Sequence, residues 1–159
     1  MAPRTFGAAI VLALFAVACT PKPGSLSSPA RNFYYVIEDE NQRVAYLQLK
    51  ESERQSFLEN AGLWAQWLEL SNEEREAAET GKVEVGFKEF AAHMAWGLPA
   101  RTREATARGR AVEFQTFIRC TSGPKVGEYV PSNIDCDGTS SEVELAIEKG
   151  IVTEIKFLD

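Results

Sequence analysis

The sequence predicts an α+β domain in which N-terminal helices pack on one face of a three-stranded antiparallel sheet near the C-terminus. Two kinds of periodicity support this prediction. Between residues 87 and 94 the apolar side chains recur every three or four positions, as in a helix. From residue 112 onward they alternate with polar side chains, as in half-buried strands. Helices followed by hairpin-linked strands are typical of an α+β domain.

The helices are predicted from their caps and from one apolar face. Glu74 follows Ser71 by three residues, and Gln55 follows Ser52 by three, the spacing at which two side chains cap the first turn of a helix. A later helix is expected to end within residues 96–99, because Gly and Pro there do not continue it. Its apolar face is formed by Phe87, Phe90, Ala91 and Met94.

Three alternating runs predict the three strands. They begin at Val112, Val143 and Ile151. Lys149-Gly150 is expected to join the second run to the third in a tight hairpin, because Gly accommodates a positive φ. The long connection that precedes the second run is expected to hold a short strand within residues 126–130.

The N-terminus has the composition of a bacterial signal peptide over residues 1–18. Arg4 precedes an apolar run that is too short to span a membrane and that ends in Ala16-Val17-Ala18. The following Cys19 completes a pattern that resembles the lipobox, in which the cysteine thiol receives a diacylglycerol. The alternative is an ordinary secretory signal with a chance cysteine. Thr20, rather than Asp, favours sorting to the outer membrane, facing the periplasm.

The rest of the chain divides into three parts by composition. Residues 19–32, rich in Pro and Ser, are predicted to be a flexible tether that reaches ~40 Å when extended. Residues 33–82 form a helical segment, and residues 83–159 form the α+β domain. The formal net charge of −6 argues against binding to nucleic acid and against electrostatic attraction to anionic lipid. Lipid on Cys19 is therefore expected to attach the protein to the membrane.

Cys120 and Cys136 are predicted to form a disulfide. With Cys19 used for lipid they are an even pair in an exported protein, where the compartment is oxidising. A bridge across this loop would stabilise the fold by ~3 kcal/mol. The competing interpretation, two free thiols or metal ligands, lacks neighbouring His or Cys residues.

Three motifs together resemble a known family. They are Val85-Gly86-Phe87, the Trp-Gly-Leu-Pro of residues 96–99, and residues 146–152 (Ala-Ile-Glu-Lys-Gly-Ile-Val). The pattern is similar to that of the SmpA/OmlA (BamE-like) family of outer-membrane lipoproteins, over residues 83–157. The resemblance implies an ααβββ fold and a role in outer-membrane assembly or maintenance. Secreted inhibitors of β-lactamase share this arrangement, so an inhibitor-like or ligand-binding module is the alternative.

The sequence does not predict an enzyme. His93 is the only histidine and is expected at the surface or rim, since it lies off the apolar helix face. The motifs of serine hydrolases, zinc proteases and cysteine nucleophiles are missing from the sequence, and no cofactor is expected.

One loop has the spacing of a calcium site. Asn133, Asp135 and Asp137 place oxygen donors at alternate positions, Gly138 follows, and Glu144 stands at the twelfth position. The favoured interpretation is nevertheless a polar turn held by the disulfide, because a strand rather than a helix follows.

The three tryptophans are the candidates for contact with a partner. Trp64 and Trp67 have helical spacing, which is more typical of a core, but aromatic side chains are also favoured in protein interfaces. Trp96 is the third. We therefore expect a non-enzymatic envelope lipoprotein that binds another, unidentified envelope protein.

Overall fold

The computed structural model describes residues 21–107 and 109–158, and this part of the chain has an α+β fold. The signal peptide and Cys19 lie outside the described residues. Six α-helices precede an open antiparallel sheet of five strands within the described ranges. The α+β class is therefore confirmed, whereas the prediction of three strands was wrong.

The helices occupy the first two thirds of the chain and the strands the last third. The helices are α1 (Ala30–Val36), α2 (Glu40–Gln48), α3 (Glu51–Asn60), α4 (Leu63–Glu69), α5 (Asn72–Glu79) and α6 (Glu89–Trp96). The strands are β1 (Arg101–Ala107), β2 (Arg110–Cys120), β3 (Tyr129–Val130), β4 (Ser140–Glu148) and β5 (Ile151–Leu158). Their order in the sheet is β1-β2-β4-β5, and the short β3 pairs with the end of β2.

Helix α6 is buried on two sides. Phe87, Ala91 and Met94 belong to an apolar cluster shared with α1 to α5. Ala92 and Trp96 belong to a second cluster, whose other members come mainly from β2, β4 and β5. The predicted apolar face of this helix is thus confirmed, but it is only the side that faces the other helices. The helices α1 to α5, which we call the helical layer, and the sheet are packed against opposite sides of α6.

The sequence did not predict β1, which is an edge strand. Its residues are mostly polar and exposed, so they lack the apolar alternation of a half-buried strand. Pairing with β2 along its whole length defines it instead. Arg101 and Arg103 reach across the sheet face that points away from α6, which we call the outer face, and form ion pairs with Glu142 and Glu144 of β4.

Strand β5 is interrupted by a bulge at Thr153. Val152 is opposite Ile147, whereas Glu154 is opposite Ala146, so Thr153 has no partner in β4. The alternation therefore shifts by one residue, and Val152, not Thr153, enters the core. The hairpin before β5 is as predicted, since Lys149 and Gly150 both have positive φ.

The folded domain begins within the range that was predicted to be a flexible tether. Leu26 is only 7 % exposed and lies in the cluster of the helical layer. A short 3-10 helix, Pro23–Ser25, precedes it, and α1 follows within the range predicted to be a tether. Burial of one leucine outweighs the flexible tendency of the Pro- and Ser-rich residues around it.

Glu74 caps two helices at once. Its carboxylate accepts hydrogen bonds of 2.7 Å from the N–H of Ser71, before α5, and from the N–H of Lys88, before α6. The Ser71 hydroxyl accepts from the N–H of Glu74, which completes the predicted capping box. The box predicted at Ser52 was wrong, because α3 begins at Glu51 and the N–H of Lys50 bonds to Glu53 instead.

The pKa of Glu74 reflects these contacts. Burial by itself would raise it, but the hydrogen bonds from Lys88 and Ser71 together with the nearby Lys88 charge lower it below its ordinary value. A carboxylate with a lowered folded-state pKa stabilises the fold above its unfolded-state pKa of about 4.3. This contribution is lost as the pH falls through the folded-state pKa.

We expect Glu74→Gln to lower the free energy of unfolding at pH 7 by about 1–3 kcal/mol, because one amide cannot replace two charge-assisted acceptors. The difference from wild type should shrink when the pH falls below about 4. Urea unfolding at pH 7 and pH 3 measures both effects. Glu73→Gln, an exposed neighbour in the same turn, is the control and should change little. If the two substitutions lowered the free energy of unfolding equally at pH 7, Glu74 would not cap both helices.

Candidate functional site

The disulfide closes one end of the sheet. Cys120, at the end of β2, is bonded to Cys136 with a Cα–Cα distance of 5.3 Å, and both residues are fully buried. They pack with Ile118 and Val130 in a small apolar cluster. The predicted pairing is therefore present in the structure. It joins the long connection after β2 to the sheet.

Two glycines let the two backbone segments of this loop approach each other closely. A Cβ on Gly123 would lie 2.6 Å from the carbonyl oxygen of Asp137, and one on Gly138 would lie 2.6 Å from that of Ser122. The Ser122 hydroxyl accepts from the N–H of Thr139. The close approach of the Ser122 backbone gives Gly138 a packing role beside the disulfide.

The residues of the candidate calcium loop, an interpretation that the sequence favours less than a polar turn, lie in different elements. Asn133 and Asp135 lie in a short 3-10 helix with exposed side chains, and Asp137 follows in a left-handed conformation. Glu144 is in β4, where its carboxylate contacts the Arg103 guanidinium at 3.5 Å. Within residues 21–107 and 109–158, no group of three or more His, Cys, Asp or Glu side chains is arranged to hold a metal ion.

His93 lies between α6 and the sheet rather than at the surface. Its side chain is 17 % exposed, and its Nε2 is 2.8 Å from the amide oxygen of Gln115. Since that oxygen can only accept, the Nε2 carries the proton. The Gln115 amide nitrogen donates to Glu89 at 2.5 Å and to Glu113 at 2.6 Å. One buried amide therefore orients a histidine and two carboxylates.

A cleft of about 470 Å³ adjoins this polar cluster. Its walls include Glu89, Glu113 and Glu104, and Lys149 also lines it. Glu104 and Glu113 are register partners in β1 and β2, so like charges face each other across the two strands. The lining of the cleft therefore carries three carboxylates and one ammonium group. Sequence reasoning missed it, because the three carboxylates come from three different elements and β1 was not predicted.

The tryptophans are part of the core. Trp67 is 6 % and Trp96 is 9 % exposed, and Trp64 is partly buried against the ring of Phe33. Trp96 donates from Nε1 to the carbonyl of Gly81 and stacks on Tyr129, with 4.8 Å between ring centroids. The structure therefore gives these three residues packing roles, and none of them is a strongly exposed aromatic.

The free edge of β5 carries an exposed aromatic side chain. The first half of β5 is covered by the segment before α6. The N–H of Gly86 donates to the carbonyl of Val152, and the N–H of Val152 donates to the carbonyl of Phe87. From Thr153 onward, β5 is paired with β4 on one side and has no strand on its other side among the described residues. Phe157 lies in this half and is 72 % exposed.

Comparison of the chain with protein-family models, with curated proteins and with solved structures found no match. In the part of the chain that the structure describes, no helix is long and apolar enough to cross a membrane.

Proposed function

We propose that this protein is a lipoprotein of the bacterial envelope, attached to a membrane by lipid on Cys19, whose α+β domain binds another envelope protein. The lipobox-like residues before Cys19 support the attachment. The Cys120–Cys136 disulfide supports export, because such bonds persist in oxidising compartments. The resemblance to the SmpA/OmlA family favours a role in outer-membrane assembly or maintenance, and a location on the periplasmic side of that membrane.

The free half of β5 is the observation that carries the binding proposal. An edge strand presents unpaired N–H and C=O groups, to which an extended segment of another protein can add as a further strand. Residues 86–89 already extend the sheet in this way along the first half of β5. A partner segment would continue that row beside residues 153–158.

The side chains of this edge define the chemistry of the partner. Phe157 provides an apolar contact at the free edge, and Ile155 beside it is only partly buried. Glu154 and Lys156 are exposed on the other face of the strand. A partner segment with alternating apolar and charged residues fits this pattern, because its apolar side chains would cover Phe157 while its charged ones stay in water.

We expect Phe157→Lys to reduce recovery of the partner at least tenfold, because it removes the exposed aromatic contact. The measurement is capture from detergent-solubilised envelope membranes with the tagged, full-length chain, followed by quantitative mass spectrometry. Val44→Lys, which replaces another exposed apolar residue on α2, is the matched control. Equal recovery by the two variants would rule out the β5 edge as the binding surface.

The attachment is tested separately. Cells that make the protein should incorporate labelled palmitate into it, and Cys19→Ala should abolish the label because the thiol is the acceptor. Ser27→Ala serves as the control, since it changes an exposed residue and keeps the acceptor thiol. Label that persists in Cys19→Ala would show that the protein is not attached in this way.

A further inference from the structure

We infer that the surface formed by residues 21–31 lies against the membrane. The domain therefore has a defined orientation on the bilayer. This inference rests on the proposed lipidation of Cys19. We call this surface the N-terminal face. Three observations support it: the short chain length between Cys19 and the folded domain, the packing of Leu26 in the helical layer, and the basic side chains of residues 21–31.

The reach from the lipid is short. The N–H and hydroxyl of Ser25 both donate to the carbonyl of Lys22, and the N–H of Leu26 donates to that of Pro23. Leu26 itself is buried. The chain is thus part of the fold from Lys22 onward, and Cys19 is three residues away. Three residues span at most ~11 Å, compared with the ~40 Å expected for a free tether. A lipidated Cys19 would hold the N-terminal face next to the headgroups.

The layer order then determines which side of the molecule faces the lipid. Leu26 packs in the apolar cluster of the helical layer, with Phe33 of α1 among its members. The sheet is packed on the opposite side of α6. The helical layer is consequently the side near the bilayer. The outer face of the sheet, with its Arg–Glu ion pairs, points toward the aqueous compartment.

The local charge agrees with this orientation. Within residues 21–31 the charged side chains are Lys22 and Arg31, and Glu76 and Glu79 of α5 line a groove together with Pro29. Lys22 and Arg31 are exposed on the N-terminal face, and neither forms an ion pair with a carboxylate of the described residues. Basic groups near an anionic bilayer are attracted to it over about one Debye length, ~8 Å at physiological salt.

Fluorescence quenching by lipid headgroups tests the orientation. The lipidated full-length chain is reconstituted in vesicles of phosphatidylethanolamine and phosphatidylglycerol that contain a headgroup-attached quencher. Because Cys120 and Cys136 are bonded, a thiol introduced at Ser27 or at Lys156 can be labelled alone. Ser27 is on the N-terminal face, and Lys156 is on β5. We expect at least threefold stronger quenching at Ser27. Equal quenching at the two positions would overturn the inference.

A longer linker separates two causes of membrane contact, the basic side chains and the short distance to the lipidated cysteine. Ten Gly and Ser residues inserted between Thr20 and Pro21 remove the limit on distance. We expect quenching at Ser27 to persist in these anionic vesicles and to fall at least threefold when Lys22→Glu and Arg31→Glu are added. Loss of quenching on insertion alone would show that the N-terminal face does not itself bind the membrane, and would overturn the inference. Both charge changes are at exposed positions, and circular dichroism checks that the variants fold.

Failure of this inference is distinguishable from failure of the proposed function. If the chain carries palmitate on Cys19 but quenching is equal at both positions, only the orientation is wrong. If Cys19 carries no lipid, the proposed attachment and the orientation are both wrong.

Discussion

The burial of α6 on two opposite sides is the constraint on which the rest of the structure depends. Ala91 and Met94 are about 1 % exposed against the helical layer, and Ala92 is fully buried against the sheet. Each large apolar side chain buried in this way stabilises the fold by about 1.5–3 kcal/mol. The carboxylate of Glu74 determines where this helix begins, since it accepts from the N–H of Lys88. The helical layer and the sheet are therefore connected through one short helix.

This connection relates the two proposed surfaces to each other. The N-terminal face belongs to the helical layer through Leu26, and the free edge belongs to β5. Along the side of α6 that faces the sheet, Trp96 packs on Phe117 and His93 bonds to Gln115. An apolar contact and a polar one thus hold helix and sheet together. A protein built in this way can present a partner-binding edge at a constant height above the membrane.

Much of this fold could be predicted from the sequence, because some signals are local. The capping box at Ser71, the apolar face of α6 and the hairpin at Lys149-Gly150 depend on residues only a few positions apart. The features that were missed depend on distant contacts. Strand β1 is defined by its pairing with β2, and the mostly buried His93 depends on Gln115, which lies opposite it in β2. A single leucine, Leu26, anchors the predicted tether in a core formed by residues much later in the chain. Lipidation and the identity of the partner have no geometric signature in these residues.

The central claim is that α6 makes the helical layer and the sheet one cooperative unit. Native-state hydrogen exchange at increasing urea concentrations tests it directly, with the amides of Tyr46 in α2 and Leu145 in β4 as reporters of the two layers. Both residues are fully buried. We expect the two amides to exchange with the same opening free energy, and Met94→Ala to lower both by an equal amount. Protection that persists at Leu145 after Tyr46 has exchanged would show that the helical layer and the sheet unfold independently.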